Sequence, residues 1–203
     1  MFCIVYQSFA YRKKRLIKYE NDTYVYYELF CKKLTKKTER RLQKKLGCPI
    51  VFYDSIDTSQ FRLLLLENMI YMLSKKYAGI RVALVEHPEP DCLLKRIAPF
   101  SKEIHMIQSG KIDESYYLEK FGCAPVQMQF YGTQEIIYKY MQGKLYYRGK
   151  EVVLPENGYL LPIDVAEMMP NGISELAFMN LLWKFGGLKA ETILPSDTVF
   201  KKL

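Results

Sequence analysis

Asp54, Asp57, Glu86 and His87 are the residues whose types and spacing could do chemistry. Each stands just after an apolar run that reads as a strand, where catalytic and ligand-binding groups collect in α/β proteins. A histidine titrates near neutrality and suits acid–base work. Carboxylates beside it could orient it, act on a small or phosphorylated substrate, or bind a hard cation such as magnesium. Glu89 and Asp91 extend the acidic group. The competing expectation is plainer: acids just before helices act as caps and dipole partners. We expect the acidic residues mostly to cap helices and not to converge on His87.

His105 lies mid-strand and reads as a structural, hydrogen-bonded residue. Cys92 sits near a helix start, where a thiol pKa can fall. No nucleophile elbow of the form GxSxG and no GxxxxGK[ST] loop occurs. The five cysteines, Cys3, Cys31, Cys48, Cys92 and Cys123, are odd in number and never at CxxC spacing. They fit packed, reduced thiols better than a disulfide framework or a zinc site. With two histidines in the chain, a histidine-based metal site would consume nearly all of them. No cofactor or metal is implied.

The second group of residues is electrostatic. Residues 1–45 hold 13 Lys and Arg against 4 Asp and Glu, a difference of +9. Residues 46–203 hold 17 against 18, a difference of −1. The net charge of +8 therefore belongs to the N-terminal segment. Arg12, Lys13, Lys14, Arg15 and Lys18 lie beside Tyr24, Tyr26, Tyr27 and Phe30. Lys36, Lys37, Arg40, Arg41, Lys44 and Lys45 follow on one helix. Phosphates need cations and unpaired bases need aromatic platforms, so nucleic acid is one expected partner. A protein with an acidic surface is the other. No signature of a known nucleic-acid-binding motif is present, so the signal rests on charge alone.

These groups need elements to carry them. Residues 2–9 read as a strand, and 15–19 with 23–31 as a hairpin turning at Glu20-Asn21-Asp22. TKKTERRLQKKLG reads as a surface helix capped by Thr35 or Thr38 and ended by Gly47, with Leu34, Leu42 and Leu46 as a thin contact stripe. Strands at 50–53, 80–85, 103–108 and 125–130 alternate with helices at 58–77, 91–98 and 113–121. That rhythm predicts a parallel sheet with right-handed crossovers. Beyond it, 136–141 reads as strand or helix. KLYYRGKEVVL reads as a hairpin, 159–163 as a strand, and 173–185 as an amphipathic helix capped by Asn171 or Ser174. The tail after Gly187 should be extended and is the element that could pack on a second subunit.

Over roughly residues 49 to 131 this organisation resembles the Rossmann-like superfamily. RVALVEHPEPDCLLKRI is similar to the opening strand, turn and helix of that fold. The resemblance implies a nucleotide site at the turn, but Glu86-His87-Pro88-Glu89-Pro90 holds no glycine, two prolines and two carboxylates. A pyrophosphate needs glycines and free N–H groups there. The next strand ends in Gln108, where an acid would hold the ribose. A degenerate relative without conventional NAD(P) binding is expected. Asp54-Ser55-Ile56-Asp57 also resembles the aspartate loop of haloacid-dehalogenase-like phosphatases. Two residues separate its aspartates, where those enzymes have one.

The expected architecture is α/β. Residues 1–47 form a β-hairpin and basic helix packed on the body, and residues 48–203 form a Rossmann-like parallel sheet with flanking helices. The expected function is binding or regulation, with an enzyme built on the strand-end residues and nucleic-acid binding as alternatives. No run approaches the length of a membrane span; the most apolar, Leu63 to Leu73, is broken by Glu67. The N-terminal charges follow the apolar residues instead of preceding them, so the chain reads as unprocessed and cytoplasmic.

Overall fold

Among the described residues nine strands fall into two sheets, and each sheet mixes parallel with antiparallel pairs. The structure, a computed structural model, describes residues 1–8, 10, 13–22, 24–110, 113–122, 134–159, 163–189 and 193. The chain divides into two units, Met1–Thr58 with Tyr159–Ala190, and Ser59–Gly158 with Glu191–Leu203.

In the first unit the strands are β1 (Phe2–Gln7), β2 (Arg15–Glu20), β3 (Val25–Cys31) and β4 (Ile50–Phe52), in the order β2-β3-β1-β4. β2 and β3 form the antiparallel hairpin. β1 runs parallel to both β3 and β4. Helix α1 (Lys36–Leu46) is thus the crossover between parallel strands β3 and β4. Side-chain alternation sends Cys3 and Val5 of β1 and Leu29 and Cys31 of β3 to one face. Leu34, Leu42 and Leu46 pack there with Cys48, Tyr27, Ile50 and Phe52. Phe2, Ile4 and Tyr26 take the other face. Tyr26 meets Phe178 edge-on at 5.5 Å, and Phe2 lies 6.0 Å from Phe185.

Local chemistry sets the ends of α1. Thr35 Oγ1 accepts from the Thr38 N–H at 3.3 Å. Gly47, at φ 66°, closes the helix with its N–H on the Gln43 carbonyl. Glu39 in the first turn and Lys44 and Lys45 in the last complement the helix dipole. Thr35→Ala removes the cap and should destabilise the first unit by about 1 kcal/mol, read as a lower urea midpoint at unchanged slope.

In the second unit α2 (Ser59–Lys76) is buried through Phe61, Leu65, Leu66, Met69, Ile70 and Leu73. It precedes β5 (Ile80–Val85), α3 (Asp91–Ile97), β6 (Ser101–Ile107), α4 (Glu114–Phe121) and β7 (Ile136–Lys139). β5 pairs in parallel with β6 on one side and β7 on the other. β8 (Lys144–Tyr147) and β9 (Lys150–Val152) continue antiparallel, giving the order β6-β5-β7-β8-β9. The β8–β9 turn places Arg148 at φ 48° and Gly149 at φ 79°, the two positive values that a two-residue hairpin turn with the sheet's own twist requires.

One expectation is corrected and two are met in part. A single parallel sheet was expected from Pro49 onward, yet the strand at 50–52 pairs with β1 in the first sheet. The two mixed sheets do not by themselves show a Rossmann strand order. A three-residue apolar strand carries no pattern that names its partner. Of the strand expected at 159–163, Tyr159 forms a bridge, Ile163 opens α5 (Ile163–Met168), and residues 160–162 lie outside the described residues. The helix expected over 173–185 is α6 (Glu175–Leu181), capped by Ser174, running into a wider π turn at Leu182–Gly186. At Gly186 an added Cβ would lie 3.3 Å from both Leu182 and Tyr24, so the close approach there favours glycine. The strand expected at 125–130 lies outside the described residues, as does most of the tail.

Candidate functional site

The carboxyl ends of the three neighbouring parallel strands β6, β5 and β7 lead into Gln108, Glu86-His87 and Tyr140. Glu86 adopts φ 51°, a left-handed conformation that costs a non-glycine residue energy and clusters at functional sites. Its N–H donates to the Ile107 carbonyl at 2.8 Å, so this donor serves the sheet. Its carboxylate accepts from Ser109 Oγ at 3.2 Å. Gln108 Nε2 donates to the His87 carbonyl at 2.9 Å and ties the two loops together.

His87 is 4 % exposed. Its Nε2 lies 3.2 Å from Glu67 Oε1 on α2. The Tyr140 ring tilts against the imidazole at 4.6 Å between centroids, and Tyr138 meets it edge-on at 5.9 Å. The Tyr138 hydroxyl and His87 Nδ1 are buried without a hydrogen-bond partner among the described residues. Burial pushes the Tyr138 phenol pKa up, and the neighbouring Glu67 charge raises it further. The Glu67 contact holds the imidazole in one orientation. Glu67, Tyr138 and Tyr140 escaped the sequence reading. Glu67 left one signal, as the acid that interrupts the most apolar stretch of the chain.

The other strand-end acids lie elsewhere. Asp54 is exposed in a 3-10 turn of the first unit, Tyr53–Ser55. Asp57 is exposed, and its carbonyl accepts from Asn180 Nδ2 at 3.0 Å. Asp91 accepts from Lys120 Nζ at 2.7 Å and the Tyr116 hydroxyl at 2.6 Å. Lys120 first and then Tyr116 hold its carboxyl below the usual range. His105 sits on β6 with its Nε2 3.3 Å from Glu103. Among the described residues no three His, Cys, Asp or Glu side chains form a metal-holding group. Cys3, Cys31 and Cys48 are free and buried, and Cys92 is free and exposed. Burial pushes the Cys3 thiol up to about 12, helped by Cys48 and Cys31.

The basic residues are placed very differently. Lys36, Lys37, Arg40, Arg41, Lys44 and Lys45 are all exposed, while Thr38, Glu39, Leu42 and Leu46 are half-buried. At 3.6 residues per turn the six cations occupy a continuous arc of about 180° on α1. The half-buried residues occupy most of the other half. None of the six forms an ion pair with a described residue. Lys13, Lys14 and Arg15 are exposed as well. Lys14 is near enough to Cys31, on the α1 side of the sheet, for its charge to act against the rise that burial gives that thiol. Lys18 shares that face by alternation but pairs with Glu20. Arg15 is out of step with both and its charge acts on Tyr19, on the opposite face. Arg12 lies outside the described residues.

The aromatic residues of this segment serve packing. Tyr26 is fully buried, Phe30 stacks on Tyr6 at 4.9 Å, and Tyr27 lies against the core beneath α1. Tyr24 abuts Gly186. No helix among the described residues is long and apolar enough to cross a membrane. Comparison with protein-family models, with curated proteins and with solved structures finds no match.

Proposed function

We propose that this protein is a binding protein that docks an anionic macromolecule on the basic face of α1. One observation carries the reading: six exposed cations, none in an ion pair among the described residues, fill half the circumference of a single helix. An ordinary solvated face mixes the two signs, as the Lys144–Glu151 and Lys120–Asp91 pairs do elsewhere. Concentrating one sign raises the local potential and draws a polyanion at long range.

The second unit reads as a degenerate Rossmann-like domain. Among the described residues its parallel strands stand, in order of appearance along the chain, second-first-third, as at the switch point of doubly wound sheets. The turn after β5 has no glycine and two prolines without an N–H, and its Glu86 N–H is spent on the Ile107 carbonyl. This supports a binding or regulatory role without conventional NAD(P). The buried free thiols fit a reducing compartment, and we place the protein in the cytoplasm.

The test is retention of the full chain on immobilised heparin. Retention at about 0.15 M salt, with release as salt rises, is the expected result. Passage straight through the column at that salt would overturn the reading.

A further inference from the structure

We infer that the anionic partner is duplex DNA, and that α1 lies in its major groove. The inference rests on the reading just proposed and narrows it to one occupant.

The distribution of charge around α1 carries the argument. At 3.6 residues per turn, Lys37 and Lys44 stand at the crest of the helix, about 180° from the side that packs on the sheet. Arg40 and Arg41 form shoulders on either side of the crest. Lys36 and Lys45 lie lower on the two flanks. All six are exposed. A flat acidic protein surface would meet the crest and the shoulders but leave Lys36 and Lys45 on the flanks unengaged. Cations on both flanks and the crest match an occupant that is concave and walled by anions on both sides.

The major groove of B-form DNA has that shape. It is about 12 Å wide and about 8.5 Å deep, with phosphates along both rims. A helix with its side chains is about 10–12 Å across, and the 11 residues of α1 extend about 16 Å. The crest lysines would then face base edges while the shoulder arginines and flanking lysines reach the two phosphate rows. A-form RNA offers a major groove too deep and narrow for this entry. Single strands are bound on exposed aromatic platforms, and Tyr24, Tyr26, Tyr27 and Phe30 are spent on packing.

The core below α1 leaves the basic face free to act. Leu34, Leu42 and Leu46 anchor the helix from beneath, and Thr35 and Gly47 fix its ends. The outer half needs no partner within the described unit for its own stability.

Fluorescence anisotropy of four labelled probes tests this with the full chain. The probes are a 20-base-pair DNA duplex, the RNA duplex of the same sequence, one DNA strand alone, and a poly-glutamate peptide. The expected result is that the DNA duplex binds at least about tenfold tighter than each of the others at about 0.1 M salt. The double variant Arg40→Gln/Arg41→Gln should lose most of that preference while its circular dichroism stays that of the wild type. Equal affinity for the two duplexes, or tighter binding of the single strand or the peptide, would overturn the groove inference. If heparin still retained the protein, the broader reading would stand. If neither heparin nor any probe were bound, both would fall.

Discussion

Replacing Tyr26 by alanine should cost the first unit about 3–5 kcal/mol, the range for truncating a large buried aromatic. Tyr26 is wholly buried at the centre of that unit's aromatic face. Its ring stacks on Tyr19 at 4.7 Å and Phe2 at 5.6 Å, and meets Phe178 edge-on. Its hydroxyl donates to the Met168 carbonyl. Alanine would leave a cavity and strand that carbonyl. Tyr26→Phe keeps the ring and isolates the second contribution, expected at about 1–2 kcal/mol. Urea unfolding followed by circular dichroism reads both, as a lower midpoint at constant slope. A loss below about 1 kcal/mol for the alanine variant would show that this face is not the core described here.

The same burial has a consequence at high pH. Burial first, and then the Glu28 charge, push the Tyr6 and Tyr26 phenols above their ordinary value of 10.0. The folded state therefore keeps those protons after the unfolded chain has lost them. Their contribution is complete below pH 10 and declines as pH rises past it. Alkaline denaturation should begin there, and earlier for destabilised variants.

Much of the first unit was legible in the sequence because its signals are local. The Glu20-Asn21-Asp22 turn, the Thr35 cap and the Gly47 stop each act within a few residues, and each element stands close to where it was expected. Partner choice was not legible. β4 joins β1, nearly fifty residues away in sequence, and nothing in Ile50-Val51-Phe52 distinguishes that strand from β5. The same limit applied to the candidate site. His87 and Glu86 were found because strand-end loops are local features. Glu67 was missed as His87's partner because a helix twenty residues earlier supplies it. The basic face was visible as composition, but its arc depends on which side of α1 packs, and Leu42 and Leu46 decide that. The aromatic platforms were expected from composition too, and packing claimed them.

The largest functional effect should come from α1 itself. Changing Lys37, Arg40, Arg41 and Lys44 together to glutamine leaves the packed side of the helix untouched. It lowers the net charge from +8 to +4. Changing Lys75, Lys95, Lys102 and Lys150, which are exposed elsewhere, makes the same change in net charge. A general attraction between a basic protein and a polyanion would weaken equally in both variants. Docking on α1 would weaken only in the first, because each cation in contact contributes about one to the log–log dependence of affinity on salt.

The most direct measurement is therefore the salt dependence of heparin retention for the wild type and these two charge-matched variants. The account predicts that the α1 variant elutes far earlier, with a slope smaller by about four, while the control elutes close to the wild type. Indistinguishable elution of the two variants would contradict it.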